Sequence, residues 1–353
     1  MKHIITISGI RPDFIRMSEI FKKLDKNFKH TLIHTGQHFD FNLSGSFFED
    51  LKIREPDYNF SIGKESCDHF DQLAHLSLKI QEHQELIKTA DLVLFLGDSN
   101  SVLASVLIKK MGLSVGHIEA GMRSGDLKMF EEINRTVADR CSDIHFCYHE
   151  NYKQKLINEN LSPNNIHVVG NTIVEVVKQF IPSEEKINKG ILVDIHRQEN
   201  FMDQTRLNNI IKYVKLCGKK LDQPVYMLRF KRTLAKIEEF GIDLSGINII
   251  DLMSFQNYIK TAYHSSVVIS DSGTAQEELA FLKSPVVVPR DFTERWESVY
   301  NNCSIMLNVN TFNNIYIDEV IAASKNLTFN TEWLGSGEAS SLIVEHIKEY
   351  LND

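Results

Sequence analysis

The chain has 353 residues, 42% of them hydrophobic and 24% charged, which is the balance of a soluble globular protein with more residues than one ordinary core holds. Its net charge of −8 argues against a nucleic-acid surface as its main role and leaves anionic ligands to local Arg and His placement. No apolar run reaches the roughly 18 residues of a membrane span, and the five cysteines are scattered without a CxxC pair. With the N-terminus entering a strand directly, the expectation is a reducing, cytoplasmic setting, no membrane and no disulfide framework.

Short apolar runs alternate with amphipathic segments. His3–Ser8 leads into Gly9-Ile10-Arg11-Pro12-Asp13 and then a helix, marked by Pro12 at its start and by Phe14, Met17, Phe21 and Leu24 at helical spacing. Arg11 is either a phosphate clamp with its planar fork or a surface residue beside a helix cap. His30–His34 precedes Thr35-Gly36-Gln37-His38. Leu92–Leu96 runs into Gly97-Asp98, where Asp98 is either a helix N-cap or a reactive acid at a strand end. Ser114–Ile118 closes on Glu119, a position hard to explain as structure because unpaired burial of a carboxylate is costly. Glu131-Glu132 opens the next helix, one acid serving the helix dipole and the other facing a cleft. Ile144–Tyr148 and Ile166–Val169 complete this half, and the boundary is placed at Gly170-Asn171-Thr172.

The second half repeats the alternation with Ile191–Ile195, Val225–Phe230, Ile247–Ile250, Val267–Ile269, Pro285–Val288 and Ser304–Leu307. Runs of Val, Ile and Leu without polar alternation predict parallel strands buried on both faces. The expected fold is α/β: two doubly wound, Rossmann-like domains facing a cleft, residues 1–170 and 171–338, with the C-terminal helix 339–353 joining the first. Such sheets bind ligands beyond the carboxyl ends of their strands, and Arg11, Asp98, Glu119, His196 and Ser272 all lie there.

In Ser270-Asp271-Ser272-Gly273-Thr274-Ala275-Gln276-Glu277-Glu278, a strand, a polar turn and a helix start follow one another. Free N–H groups beside a hydroxyl and a glycine suit a phosphate, and Glu278, one turn on, suits ribose hydroxyls. A nucleoside diphosphate is the expected ligand. Asp98, Glu119 and Glu131 around one cleft suit proton transfer, because neighbours can hold one acid protonated while another stays ionised. His196 adds a general acid or a phosphate contact. Tyr258 is either a base-stacking aromatic or a core residue. The 14 histidines show no metal-ligand spacing, no G-x-G-x-x-G follows a strand, and no serine elbow is present. No metal or redox cofactor is therefore expected.

The chain resembles the non-hydrolysing UDP-N-acetylglucosamine 2-epimerases over nearly its full length. The matching segments are Gly9–Arg16, Thr35–His38, Gly97-Asp98, His117–Arg123, Glu131–Arg135, Gly170-Asn171-Thr172, His196–Asn200, Ser270–Glu278 and Arg290–Arg295. The resemblance implies a GT-B-like fold, a UDP-sugar substrate, a homodimer, and elimination of UDP to a 2-acetamidoglycal followed by re-addition. It casts Asp98, Glu119 and Glu131, with His196, as the catalytic set. Arg11, His196, Ser272 and Gly273 hold the diphosphate, Glu278 the ribose, and Tyr258 stands beside uracil. Arg16, Arg135 and Thr274 complete the binding set. Two departures stand out: Arg16 replaces the family's usual Lys, and Ile10 its Thr. Gly97–Ser101 and Asp271–Thr274 also resemble a branch acting on UDP-2-acetamido-2,6-dideoxy-L-hexoses, while Thr35–Phe48 and His196–Asn200 suit that branch, the default and the diacetamido-uronate epimerases alike. A GT-B glycosyltransferase, a hydrolysing epimerase and a non-catalytic nucleotide-sugar sensor are the rival readings.

Overall fold

The computed structural model describes residues 1–37, 45–63, 67–127, 129–310 and 313–352. The first sheet contains β1 (His3–Ser8), β2 (Lys29–His34), β3 (Tyr58–Asn59), β4 (Leu92–Leu96), β5 (Val115–Ile118), β6 (Ile144–Cys147) and β7 (Ile166–Val168), in the order β3-β2-β1-β4-β5-β6-β7. The second contains β8 (Ile191–Asp194), β9 (Val225–Leu228), β10 (Ile247–Ile250), β11 (Val267–Ser270), β12 (Val286–Val288) and β13 (Ser304–Met306), in the order β10-β9-β8-β11-β12-β13. All pairings are parallel. The central strands are buried along their length, as their unalternating sequences predict. Among the described residues, the one unforeseen strand is Tyr58–Asn59, a two-residue exposed edge with no apolar run to announce it.

Strand order reverses between β1 and β4 in the first sheet, and between β8 and β11 in the second. In doubly wound sheets the ligand crevice opens at such reversals, beyond the carboxyl ends. The residues that follow these four strands are Gly9–Arg11, Gly97-Asp98, Ile195-His196 and Asp271–Gly273. Sheet topology thus draws attention to the same turns as the motifs.

The chain divides into unit 1, Met1–Val176 with Trp333–Asp353, and unit 2, Val177–Glu332. Unit 1 thus runs past Gly170 to Val176 and resumes at Trp333, ahead of the helix that begins at Ala339. Asn171 N–H donates to Leu334 O at 2.9 Å, and the Tyr148 and Thr172 hydroxyls pair at 2.9 Å, so 171–172 and 333–334 pack within unit 1. Gly170 and Gly335 both have positive φ, and a Cβ on Gly170 would stand 3.3 Å from Gly335 Cα; only glycine suits this crossing. The helix Ala339–Asn352 lies on the helix Arg11–Asn27, where Lys348 Nζ donates to Asn27 Oδ1 at 2.6 Å. No helix among the described residues is long and apolar enough to cross a membrane.

Candidate active site

In unit 1 the acids gather round the turn after β4. Gly97 has φ +75°, and a Cβ placed on it would stand 3.8 Å from Asp13 Oδ1 and 4.0 Å from Glu119 Oε1. Asp98 is next in the chain. It caps no helix; the short 3-10 turn Asn100–Leu103 begins at Ser99 without a side-chain cap. Instead the Asp98 carboxylate pairs with Arg135 Nη2, and Asn134 Nδ2 donates to the Asp98 carbonyl at 2.9 Å. Consecutive residues of the helix Phe130–Cys141 therefore hold Asp98 by side chain and by backbone. Arg135 is almost fully buried, whereas the Asp98 side chain keeps 23% of its surface open, so the pair presents its acid to solvent.

Glu119 has φ +72°, a strained conformation for a residue with a side chain. The amides of Glu119 and Ala120 both donate to Phe146 O, at 3.0 and 3.2 Å, and fix that geometry. The Glu119 carboxylate pairs with Arg16, whose guanidinium lies 5.2 Å above the Tyr148 ring. Both partners are buried. His117, two residues earlier, joins this strand end to the Gly97 turn: Nδ1 lies 2.7 Å from Asp139 Oδ1 and Nε2 lies 2.8 Å from Gly97 O. Both nitrogens face acceptors, so the ring donates from both. Burial opposes that charge, but Asp139 outweighs it and raises the pKa. Glu132 is the structural member of the Glu131-Glu132 pair, accepting from Ser124 N at 2.9 Å and Gly125 N at 3.1 Å; Glu131 is half-buried in the first helical turn. Arg11, also half-buried, lies 5.2 Å over the Phe47 ring.

Asp13 Oδ2 accepts from Gly9 N, Ile10 N and Ser99 Oγ at 3.2–3.3 Å. Burial pushes its carboxyl up to about 7, against the pull of the two amides and with added repulsion from Asp98. Asp13 is thus an acid whose surroundings disfavour the charged form, beside acids that pair with guanidinium groups.

In unit 2 the turn after β8 meets the turn after β11. Asp271, fully buried, accepts from His196 N at 3.0 Å, Arg197 N at 3.1 Å and Asn200 Nδ2 at 3.0 Å. Asp194 pairs in register with Ser270 and accepts from its hydroxyl at 3.1 Å. His196 Nδ1 lies 2.9 Å from Asp194 and 3.4 Å from Asp271. Burial disfavours the imidazolium, yet the two carboxylates push its pKa up to about 9. Asp194, His196 and Asp271 bring their ligand atoms within 4.8 Å of one another, the geometry of a possible metal group. Here the Nδ1 proton and the donors on Asp271 occupy the lone pairs that a metal would need. The result is a fixed cation beside the next turn.

Ser272 is the N-cap of the helix Gly273–Phe281, and its hydroxyl meets Thr274 Oγ1 at 3.2 Å rather than capping a backbone amide. The helix starts with N–H groups that have no intrahelical acceptor. A Cβ on Gly273 would stand 2.6 Å from Arg295 Nη1 and 2.7 Å from Glu294 Oε1, so this position must lack one. Glu278 is buried one turn on. Tyr258, on the helix Phe255–His264, directs its phenol to the same place: burial, with Asp194 and Glu278 nearby, pushes its pKa well above the ordinary value.

Unit 1 therefore assembles Asp98, Glu119, Arg16 and Arg135, and unit 2 assembles His196, Ser272, Gly273, Thr274, Glu278 and Tyr258. His38, in the motif Thr35–His38, lies outside the described residues. Sequence reading passed over Asp13, Asn134, Asp194 and Asp271 as partners. Asp13, Asn134 and Asp271 each stood inside a segment already singled out, and Asp194 in a strand read only as core.

The UDP-N-acetylglucosamine 2-epimerase family profile matches residues 22–348. A UDP-N-acetylglucosamine 2-epimerase of Methanococcus maripaludis is 34% identical, covering 98% of each chain. The UDP-2,3-diacetamido-2,3-dideoxy-D-glucuronate 2-epimerase of Pseudomonas aeruginosa is 32% identical over 98% of this chain and 99% of its own. Among solved structures, the Methanocaldococcus jannaschii UDP-N-acetylglucosamine 2-epimerase in complex with UDP-N-acetylglucosamine and UDP is 30% identical, with TM-score 0.85 over 98% of this chain and 99% of that one. With the strand-end acids, the helix-start turn and this match along almost its whole length, the chain belongs to the UDP-N-acetylglucosamine 2-epimerase family, a family of isomerases.

Proposed function

We propose that this chain inverts C2 of a UDP-2-acetamido sugar, by default interconverting UDP-N-acetylglucosamine and UDP-N-acetylmannosamine. The observation that carries the reading is the pair of strand-end carboxylates, Asp98 and Glu119, each fixed by a buried guanidinium. The similarity to a protein solved with UDP-N-acetylglucosamine and UDP supports the choice of substrate. A C2 proton of the sugar is weakly acidic, so removing it alone is difficult. A carboxylate takes it while the C1–O bond breaks and the electron pair leaves on the β-phosphate oxygen of UDP, giving a 2-acetamidoglycal. That oxygen then returns to C1 as a proton reaches the opposite face of C2. Nothing is oxidised or reduced overall.

This sequence needs a proton acceptor and a proton donor, and Asp98, Glu119 and Glu131 are assigned those roles. Arg135 and Arg16 hold Asp98 and Glu119 in place, while Arg11 contributes positive charge toward phosphate. In unit 2, the start of the helix Gly273–Phe281, with Ser272 and Thr274 and the imidazolium of His196, holds the diphosphate. The charge on His196 favours phosphate binding over proton donation. Glu278 takes the ribose hydroxyls and Tyr258 neighbours uracil. A second reading, epimerisation of a UDP-diacetamido-glucuronate, is favoured by the Pseudomonas aeruginosa relative.

Incubation with UDP-N-acetylglucosamine in D2O, followed by NMR, tests the proposal. The expected product is the C2-inverted UDP-sugar carrying deuterium at C2. Free sugar with UDP means hydrolysis, and exchange only with a diacetamido-glucuronate or 6-deoxy-L-hexose donor moves the substrate. Lack of exchange with every such donor would sink the epimerase reading. Asp98→Asn and Glu131→Gln should each abolish exchange while leaving UDP affinity within a few-fold.

A further inference from the structure

Arg290 stands just beyond the carboxyl end of β12, the strand paired with β11 through Val268–Val286 and Ile269–Val287. The Ser272–Gly273 turn stands just beyond the end of β11. The two segments are thus neighbours on the same edge of one sheet, and Asn200, which also holds Asp271, donates to Pro289 O at 2.9 Å and secures the first against the second. The Arg290 side chain is 1% exposed. Its Nη1 donates to Glu294 Oε2 at 3.2 Å, its Nε lies 3.7 Å from Glu199, and its Cζ lies 5.1 Å over the Phe292 ring. Among the described residues, Nη2 has no hydrogen-bond partner.

A guanidinium removed from water with a donor unfilled is costly, and native proteins rarely leave one so. Glu294 is already shared: its other oxygen pairs with Arg295 Nη1 and lies 2.7 Å from where a Gly273 Cβ would stand. Arg197 is close as well, its Nη2 being 3.9 Å from Glu294. The arrangement is a planar donor bonded to Glu294, whose other oxygen lies against the first residue of the nine-residue helix Gly273–Phe281. Helix start and orphan guanidinium are independent observations, and both ask for an anion.

We propose that Arg290 is a further nucleotide-binding residue, its Nη2 donating to an oxygen of the diphosphate held at the start of the helix Gly273–Phe281. This rests on the UDP-binding reading above. A bidentate or charge-assisted contact of this kind also distinguishes Arg from Lys, since only the planar fork reaches the phosphate while Nη1 stays on Glu294.

Affinities for UDP and for uridine, measured by calorimetry on the wild-type chain, Arg290→Gln and Arg290→Lys, provide the test. Arg290→Gln should weaken UDP by about tenfold or more, the size of a charge-assisted contact, and leave uridine within about twofold. Arg290→Lys should fall between the wild-type and the Gln variant for UDP. Unchanged UDP affinity overturns the proposal. So does equal weakening of UDP and uridine, which marks a damaged fold. If the wild-type chain binds no UDP, the nucleotide reading itself has failed, and inorganic pyrophosphate becomes the probe. Pyrophosphate binding that Arg290→Gln removes would sustain an anion role for Arg290, and its absence in the wild type would end that role too.

Discussion

Asp13 ties the stability of unit 1 to pH in a way that can be worked out in advance. Its carboxyl ionises near 3.8 in the unfolded chain and is pushed up to about 7 by burial in the folded one. At about 1.4 kcal/mol per pH unit, ionising it costs the folded state about 4 kcal/mol more than the unfolded state. Between those two values the folded chain holds a proton that the unfolded chain has released. Its contribution is therefore fully present below pH 3.8 and is lost as pH rises through about 7. Asp13→Asn removes the titration while keeping an oxygen to accept from Gly9, Ile10 and Ser99. Trp333 lies in unit 1 and the only other tryptophan, Trp296, in unit 2, so a Trp296→Phe background lets urea unfolding of unit 1 be followed by fluorescence. The variant should gain stability relative to its parent from pH 4 to pH 8, by up to about 4 kcal/mol. Parallel stability curves across that range would mean that Asp13 ionises normally, and the buried-acid argument would fall.

Glu119→Gln leaves the buried Arg16 without its counter-charge and should destabilise unit 1 by about 3–5 kcal/mol, with Glu119→Gln/Arg16→Met recovering part of the loss; equal destabilisation of the single and double variants in urea would contradict the pairing. His196 has a folded pKa raised from 6.5 to about 9, so its contribution to stability is full below pH 6.5 and lost as pH rises through about 9. The same loss of charge should weaken UDP binding above about pH 9, and His196→Gln should bind more weakly with a flat profile in calorimetric titrations; a wild-type profile that is itself flat from pH 7 to pH 10 would rule out the imidazolium.

The architecture was largely legible because parallel strands buried on both faces must be continuous apolar runs, and twelve such runs became the strands of two sheets. Tyr58–Asn59 was not, since an exposed edge pairs through backbone alone and leaves no apolar signature. The acids at strand ends could be picked out because doubly wound sheets place ligands there. Their partners could not. Asp194 reaches His196 and Ser270 only through the register of β8 against β11, and Asn134 meets Asp98 only because a helix starting 32 residues later returns to that turn. Nor does any sequence pattern show that Glu119 sits at positive φ, a conformation held by its amide on Phe146 of the adjoining strand.

The crossing at Gly170 and Gly335 bears on how the chain is made. Unit 2 is inserted into unit 1, so a ribosome emits all of Val177–Glu332 before Trp333 and the closing helix appear. Unit 2 has its whole sequence available while unit 1 still lacks the segment that covers the helix Arg11–Asn27. That helix carries Asp13 and Arg16, two of the residues around the acid cluster. Translation order thus puts the segment that completes the scaffold of the acids after the whole of unit 2, and a chain cut short between Glu332 and the closing helix would carry a complete unit 2 and an unfinished unit 1.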